Sequence, residues 1–184
     1  MGKSEFTGPG LYFRHQLRTV DLTAVERHPP IVERPVRALV WASEDETRAF
    51  AEHLAAHPAI GRAFIELRGD LGAGKTTLVR HLLRALGVRE RIKSPTYTLV
   101  EPHEAAGGPI WHFDFFRFTD PREWEEAGLR DIFAGPGLKL VEWPENAGTL
   151  LPQADLVVRI QAEADDSRHV TLEAQTPLGQ ELLP

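Results

Sequence analysis

An α/β domain of three layers around a central mixed, largely parallel sheet is the fold class this sequence predicts. Three observations predict it. A glycine loop stands between a short apolar run and an amphipathic helix, strands and helices alternate through the first half, and strands dominate the second. The 184 residues suffice for one well-buried domain, and 42% apolar with 26% charged residues is ordinary globular composition.

Residues 1–35 carry "GPG", "HPP" and scattered charges with no sustained periodicity. They are expected to be a disordered N-terminal extension, or a segment left from expression, ahead of a single domain over residues 36–184. That domain opens with "RALVW" (37–41) as a strand. "SEDETRAFAEHLAAH" follows as a helix, with Ser43 as N-cap, Glu46 as its capping-box partner, and Phe50 and Leu54 on one face. "AFIEL" (63–67) suits a buried strand, and after the glycine loop Leu78, Val79, Leu82, Leu83 and Leu86 recur at helical spacing until Gly87 ends the helix. "YTLVE" (97–101) and "IWHFDFFRF" (110–118) read as strands, joined through "AAGGP" (105–109) as a hairpin loop. "PREWEEAGLRDIF" (121–133) reads as one helix with proline in its first turn, "LKLVEW" (138–143) as a buried strand, and "LVVRIQA" (156–162) and "HVTLEAQ" (169–175) as closing strands.

Composition excludes several functions. Cysteine is absent, so disulfides, thiolate catalysis and cysteine-ligated metal centres are out, which suits a reducing compartment. No run approaches the ~18 apolar residues that cross a bilayer, and the N-terminus lacks the apolar segment of a secretory signal. A cytoplasmic protein without membrane contact is expected. The formal charge of −6 argues against a chain that clamps DNA or RNA unaided. Arg80, Arg84, Arg89, Arg91 and Lys93 form a local basic run, read as a solvated helix face and loop, with a basic patch as the alternative.

The loop carries the chemistry. Gly69, Gly74, Lys75 and Thr76 satisfy G-x-x-x-x-G-K-S/T, and strand, loop and helix in that order give the match its structural context. Glycines let backbone N–H groups curl around phosphate oxygens, and the helix N-terminus favours the anion. Lys75 would neutralise β/γ oxygens and Thr76 would offer its hydroxyl to Mg²⁺. The loop residues Asp70, Leu71, Gly72, Ala73, Gly74, Lys75, Thr76 and Thr77 are thus the candidate nucleotide contacts, on a P-loop NTPase fold.

A magnesium nucleotide site also needs an acidic oxygen ligand at the end of a buried strand. Glu142, at the end of "LKLVE", supplies it, the other reading being a solvated strand end. Alternation in "HFDFFRF" places His112 and Asp114 on one face and Phe113, Phe115 and Arg117 on the other. Asp114 is the second candidate for chemistry, to be paired with Mg²⁺, an attacking water or Arg117, whereas His112 reads as a hydrogen-bonded structural histidine. "KSPTYTLVE" concentrates hydroxyls at Ser94, Thr96, Tyr97 and Thr98, and is either a segment that orders around a γ-phosphate or a plain threonine-rich strand.

"GDLGAGKTT", "KSPTYTLVE", "HFDFFRFTDPREWEEAGLRDIF" and "LVEWPE" together resemble the TsaE (YjeE) family of small bacterial ATPases, in order and spacing, over about residues 40–170. The resemblance implies ATP, with Mg²⁺ held by Thr76 and Glu142, catalysis through Lys75, Asp114 and Glu142, and further nucleotide contacts from Glu44 and Arg168. It also implies a role in making N6-threonylcarbamoyladenosine at position 37 of ANN-decoding tRNAs. Partners would be the TsaB and TsaD proteins, with tRNA met indirectly through their complex. On this reading hydrolysis drives a change in the complex, and with no arginine finger evident in the loop region, turnover should be weak alone. The chain departs from the family's usual pattern at Phe115 and Phe116, where leucine and tyrosine are usual, and at Trp124, where leucine is. A phenolic hydroxyl is therefore missing.

Two rivals share the loop. A small-molecule or nucleoside kinase needs an acceptor pocket and usually an arginine-bearing lid, for which Arg117, Arg122 and Arg130 are the available arginines. A non-catalytic module would hold ATP as a structural ligand. A GTPase is disfavoured by the absence of N/T-K-x-D and D-x-x-G.

Overall fold

The computed structural model describes residues 35–95 and 97–184, so the expectation for the N-terminal extension falls almost wholly outside the described residues, as does Thr96. Seven strands form one sheet: β1 (Val36–Trp41), β2 (Phe64–Arg68), β3 (Val100–Ala105), β4 (Gly108–Asp114), β5 (Leu138–Glu142), β6 (Leu156–Ala162) and β7 (Arg168–Ala174). Their order is β1-β7-β6-β2-β5-β4-β3. Pairings β6–β2, β2–β5 and β5–β4 are parallel, whereas β1–β7, β7–β6 and β4–β3 are antiparallel. "Largely parallel" thus holds only for the central four strands. Hairpins at 105–108 and 162–168 add β3 and β7 antiparallel, because a short connection can only reverse the chain, and β1 then pairs antiparallel with β7.

Strand alternation divides the apolar side chains between two faces. Ile65, Leu67, Leu140, Leu156 and Val158 pack against Phe50 and Leu54 of α1 (Glu44–Ala56) and Leu78, Leu82 and Leu83 of α2 (Lys75–Ala85). On the opposite face Phe64, Phe113, Val141 and Val157 meet Trp124 of α3 (Pro121–Glu126), Leu129 of α4 (Leu129–Ala134) and Ala147 of α5 (Pro144–Ala147). The three layers follow from this division. Trp124 is buried there and stacks on Phe133 at 5.3 Å between ring centres, so the unusual tryptophan is a packing residue.

Several local expectations change. Ser43 is the N-cap of α1 but its side chain makes no capping bond, while the Glu46 carboxylate accepts from the Ala42 N–H, one residue ahead of the capping-box position. β3 begins at Val100, three residues later than "YTLVE" suggested, because Tyr97–Leu99 turn on N–H groups of Thr98 and Leu99 donated to the Pro95 carbonyl. β4 stops at Asp114, where the Asp114 carboxylate captures the Phe116 N–H at 3.0 Å. The segment 121–133 is two helices, α3 and α4, separated at Gly128, whose φ of +64° no helix continues through. Asp120 and Glu123 form the capping box of α3. Gly87 ends α2 as predicted, its N–H bonded to Arg84 O and that of Val88 to Leu83 O.

The sequence reading contained no element after β7, yet α6 (Pro177–Glu181) follows it. Thr176 caps α6 by accepting from the Gly179 N–H and donates its hydroxyl to Asp155 at 2.5 Å. Thr176→Ala is expected to cost about 1 kcal/mol. Chemical denaturation with an unchanged m-value checks it. Among the described residues no helix is long and apolar enough to cross a membrane.

Candidate functional site

The parallel strands β2, β5 and β4 end side by side, with Leu67 opposite Glu142 and Glu142 opposite Asp114. The glycine loop leaves β2 at this edge, so one fold feature brings loop and both carboxylates together, as is usual outside the carboxyl ends of parallel strands. Gly69 is required there: at φ +140° an added Cβ would run into the Ile160 carbonyl. Gly74, at φ +115°, is the N-cap of α2, and Lys75 and Thr76 open the helix.

Lys75 is 4% exposed and folds back over the loop. Its Nζ donates to the carbonyls of Gly69 at 2.5 Å and Asp70 at 2.9 Å and lies 3.9 Å from the Trp143 ring centre. Burial lowers the ammonium's pKa, and the carboxylates of Glu142, Glu145, Asp114 and Asp70 oppose that shift. The cation is therefore held dry but inside a negative surround. Trp143, at φ +57°, turns the chain out of β5, and Phe116 packs on its indole at 5.0 Å.

Thr76 Oγ1 donates to Glu142 Oε2 at 2.8 Å, and His112 Nε2 stands 2.8 Å from Glu142 Oε1. Glu142 and His112 are both buried. His112 is hydrogen-bonded as expected, and its partner is the candidate metal ligand. Asp114 accepts the Ser94 hydroxyl at 2.7 Å besides the Phe116 N–H, which ties Ser94 and Phe116 to the end of β4. Arg117 lies over the Tyr97 ring at 4.6 Å.

A cleft of about 260 Å³ is lined by Leu71, Gly72, Gly74, Lys75, Thr76, Thr77, Arg80, Ser94, Asp114, Phe116, Glu142 and Trp143. Beside it, a smaller recess of about 110 Å³ is lined by Trp41, Ser43, Glu44, Thr47, Ala73, Gly74, Thr77, Asp166 and Arg168. Arg168 reaches it by donating Nε to Ala73 O at 2.9 Å, and Glu44 is held by His81 Nε2 at 2.9 Å. Glu44 and Arg168 thus flank one recess on the far side of the loop. Of the basic run, Arg84, Arg89, Arg91 and Lys93 are exposed as expected for a solvated face, and Arg80 lines the cleft.

The donor set fits a magnesium nucleotide. A hydroxyl and a carboxylate meet at 2.8 Å beside a buried ammonium and the start of a helix. Among the described residues no group of three or more His, Asp or Glu side chains is arranged to hold a metal, so an ion here would complete its shell with phosphate and water.

Residues 41–170 match the family described as "Threonylcarbamoyl adenosine biosynthesis protein TsaE". The chain belongs to the TsaE family. It is 45% identical to the tRNA threonylcarbamoyladenosine biosynthesis protein TsaE of Haemophilus influenzae over 136 residues, 74% of this chain and 85% of that protein. Identity to the Bacillus subtilis TsaE protein is 36% over 141 residues, covering 76% and 87% of the two chains. The crystal structure of Bacillus subtilis YdiB superposes with a TM-score of 0.64 at 29% identity, over 81% of this chain and 92% of that one. The TsaE family takes part in the biosynthesis of threonylcarbamoyladenosine in tRNA.

Sequence reasoning on the residues alone missed Trp143, Phe116, Ser94 as the partner of Asp114, and the link from His112 to Glu142. Trp143 gave no usable signal, since proline favours an extended residue before it and Trp143 instead adopts φ +57°. Glu44 and Arg168 had no local signal, being brought to the loop by α1 and β7.

Proposed function

We propose that residues 36–184 form a single P-loop ATPase domain that hydrolyses Mg²⁺–ATP in support of tRNA threonylcarbamoylation. On this reading it works in the cytoplasm with the TsaB–TsaD pair and meets tRNA only through that complex, for adenosine 37 of ANN-decoding tRNAs. The observation that carries the reading is the 2.8 Å contact of Thr76 and Glu142 beside Lys75 at the mouth of the glycine loop. Family membership supports the pathway.

The chain's own residues divide the work. Lys75 presents a desolvated ammonium to phosphate oxygens, and the loop N–H groups from Asp70 to Thr77 orient them. Thr76 and Glu142 supply hard oxygen ligands. Mg²⁺, when bound, supplies charge neutralisation at the transferring phosphoryl group. Asp114 holds Ser94 and the Phe116 N–H at the cleft wall, so the segments on either side of the site are ordered through one carboxylate. Glu44 and Arg168 line the smaller recess, where they would meet the remainder of the nucleotide.

Terminally labelled ATP separates this reading from its rivals. Label is expected in inorganic phosphate with water as sole acceptor, and none on added nucleosides or sugars. Label on such an acceptor would make the chain a kinase; no release even with the TsaB–TsaD pair would make it a binding module.

A further inference from the structure

We infer that His112 is a positioning residue whose Nε2–H fixes the Glu142 carboxylate so that Oε2 meets the Thr76 hydroxyl. The inference rests on the magnesium-nucleotide reading of the site and adds a residue to it.

Register places the pair. His112 stands opposite Leu140, two residues before Glu142, so both side chains lie on the same face of adjacent parallel strands. His112 is fully buried and Glu142 is 2% exposed, so the carboxylate depends on protein donors for hydrogen bonding. It has one for each oxygen: Nε2 of His112 at 2.8 Å from Oε1 and Oγ1 of Thr76 at 2.8 Å from Oε2.

The tautomer follows from what surrounds the ring. An ionised carboxylate only accepts, so the proton of the neutral imidazole must sit on Nε2. Nδ1 is buried and has no hydrogen-bond partner among the described residues. A proton there would leave a buried donor unpaired and also turn a bare Nε2 lone pair toward Oε1, whereas a proton on Nε2 satisfies the carboxylate and leaves one unpaired acceptor. The bond to Glu142 and the unpartnered Nδ1 therefore select one neutral ring state, in which Nε2 donates to Oε1.

The constraint has a purpose at this position. Glu142 faces Asp114 directly across the parallel pair, and like charges in that arrangement repel. Asp114 is turned to Ser94 and the Phe116 N–H, Glu142 to His112 and Thr76. With His112 holding one oxygen, the other is presented beside the hydroxyl as a preformed pair of oxygen ligands. Groups that orient a metal ligand in this way commonly contribute about 10–100-fold to metal affinity.

Calorimetry on the full chain tests it, with the imido-bridged ATP analogue titrated in excess Mg²⁺ and again in chelator. His112→Leu is expected to lose about 10–100-fold of the Mg²⁺-dependent gain in affinity and to keep its affinity in chelator. His112→Gln, which can place an amide donor near the position of Nε2, is expected to recover most of that gain. An undiminished gain in His112→Leu, or an equal loss in both variants, overturns the inference. Absence of any Mg²⁺ gain in the wild type instead sinks the magnesium-nucleotide reading itself. Should His112→Leu not fold, long-range proton–nitrogen NMR of the wild-type ring decides: a proton on Nε2 is expected, and one on Nδ1 overturns the assignment.

Discussion

Lys75→Ala is expected to lower affinity for Mg²⁺–ATP by about a hundredfold, near 2.8 kcal/mol, while the folded state persists. The ammonium is buried against the loop carbonyls of Gly69 and Asp70 and the Trp143 face, and four carboxylates surround it. Among the described residues no other buried ammonium lines the cleft. Removing it leaves phosphate facing acidic groups with only backbone N–H groups and the exposed Arg80 to compensate. The apolar face of α2 is made by Leu78, Val79, Leu82 and Leu83, to which Lys75 does not belong, so the helix should keep its packing. Calorimetry with Mg²⁺ present, paired with a thermal melt, reads both effects. Undiminished affinity would mean that the loop does not cradle phosphate.

Glu142→Gln is expected to retain nucleotide but lose hydrolysis by at least about tenfold, about 1.4 kcal/mol in the barrier. The two carboxylate oxygens each accept from a separate donor, His112 on one side and Thr76 on the other. A carboxamide can accept with its oxygen only, so its nitrogen must face one of those donors. The pairing of hydroxyl and charged oxygen is then lost while loop and lysine stay in place. Asp114→Asn, which disturbs the ties to Ser94 and Phe116, is expected to act in the same direction. Phosphate release measured at saturating Mg²⁺–ATP gives the answer, and wild-type rates in Glu142→Gln would return that residue to a structural role.

Much of this site was legible in the sequence because its parts are local. Gly69, Gly74, Lys75 and Thr76 are specified by loop chemistry, and Glu142 and Asp114 by where apolar runs end. The three-layer core was legible too, but only as buried apolar runs; which face Phe64 or Ile65, Val141 or Leu140 takes was not. What was not legible depends on long-range placement. The partner of His112 lies thirty residues away on another strand, and the sequence pattern gives a face but no neighbour. Arg168 meets the loop carbonyl of Ala73 across the sheet. Element ends were misjudged where a side chain competes with the backbone ladder, as Asp114 does at the end of β4. The capping box assigned to Ser43 failed because Glu46 bonds one residue earlier. The antiparallel β3–β4 edge was legible from the hairpin at "AAGGP", whereas the antiparallel pairing of β7 with β6 and β1 was not, because propensity does not distinguish pairing direction.

The proposed function requires a phosphoryl-transfer centre that partners complete. It is tested most directly by the steady-state rate of phosphate release from ATP, measured on the purified chain with and without the TsaB–TsaD pair at saturating Mg²⁺. Slow turnover alone and a rise of at least about tenfold with the pair are predicted, since completion of a phosphoryl-transfer site in trans gives larger factors still. An equal rate with and without the pair would contradict completion of the site by those partners.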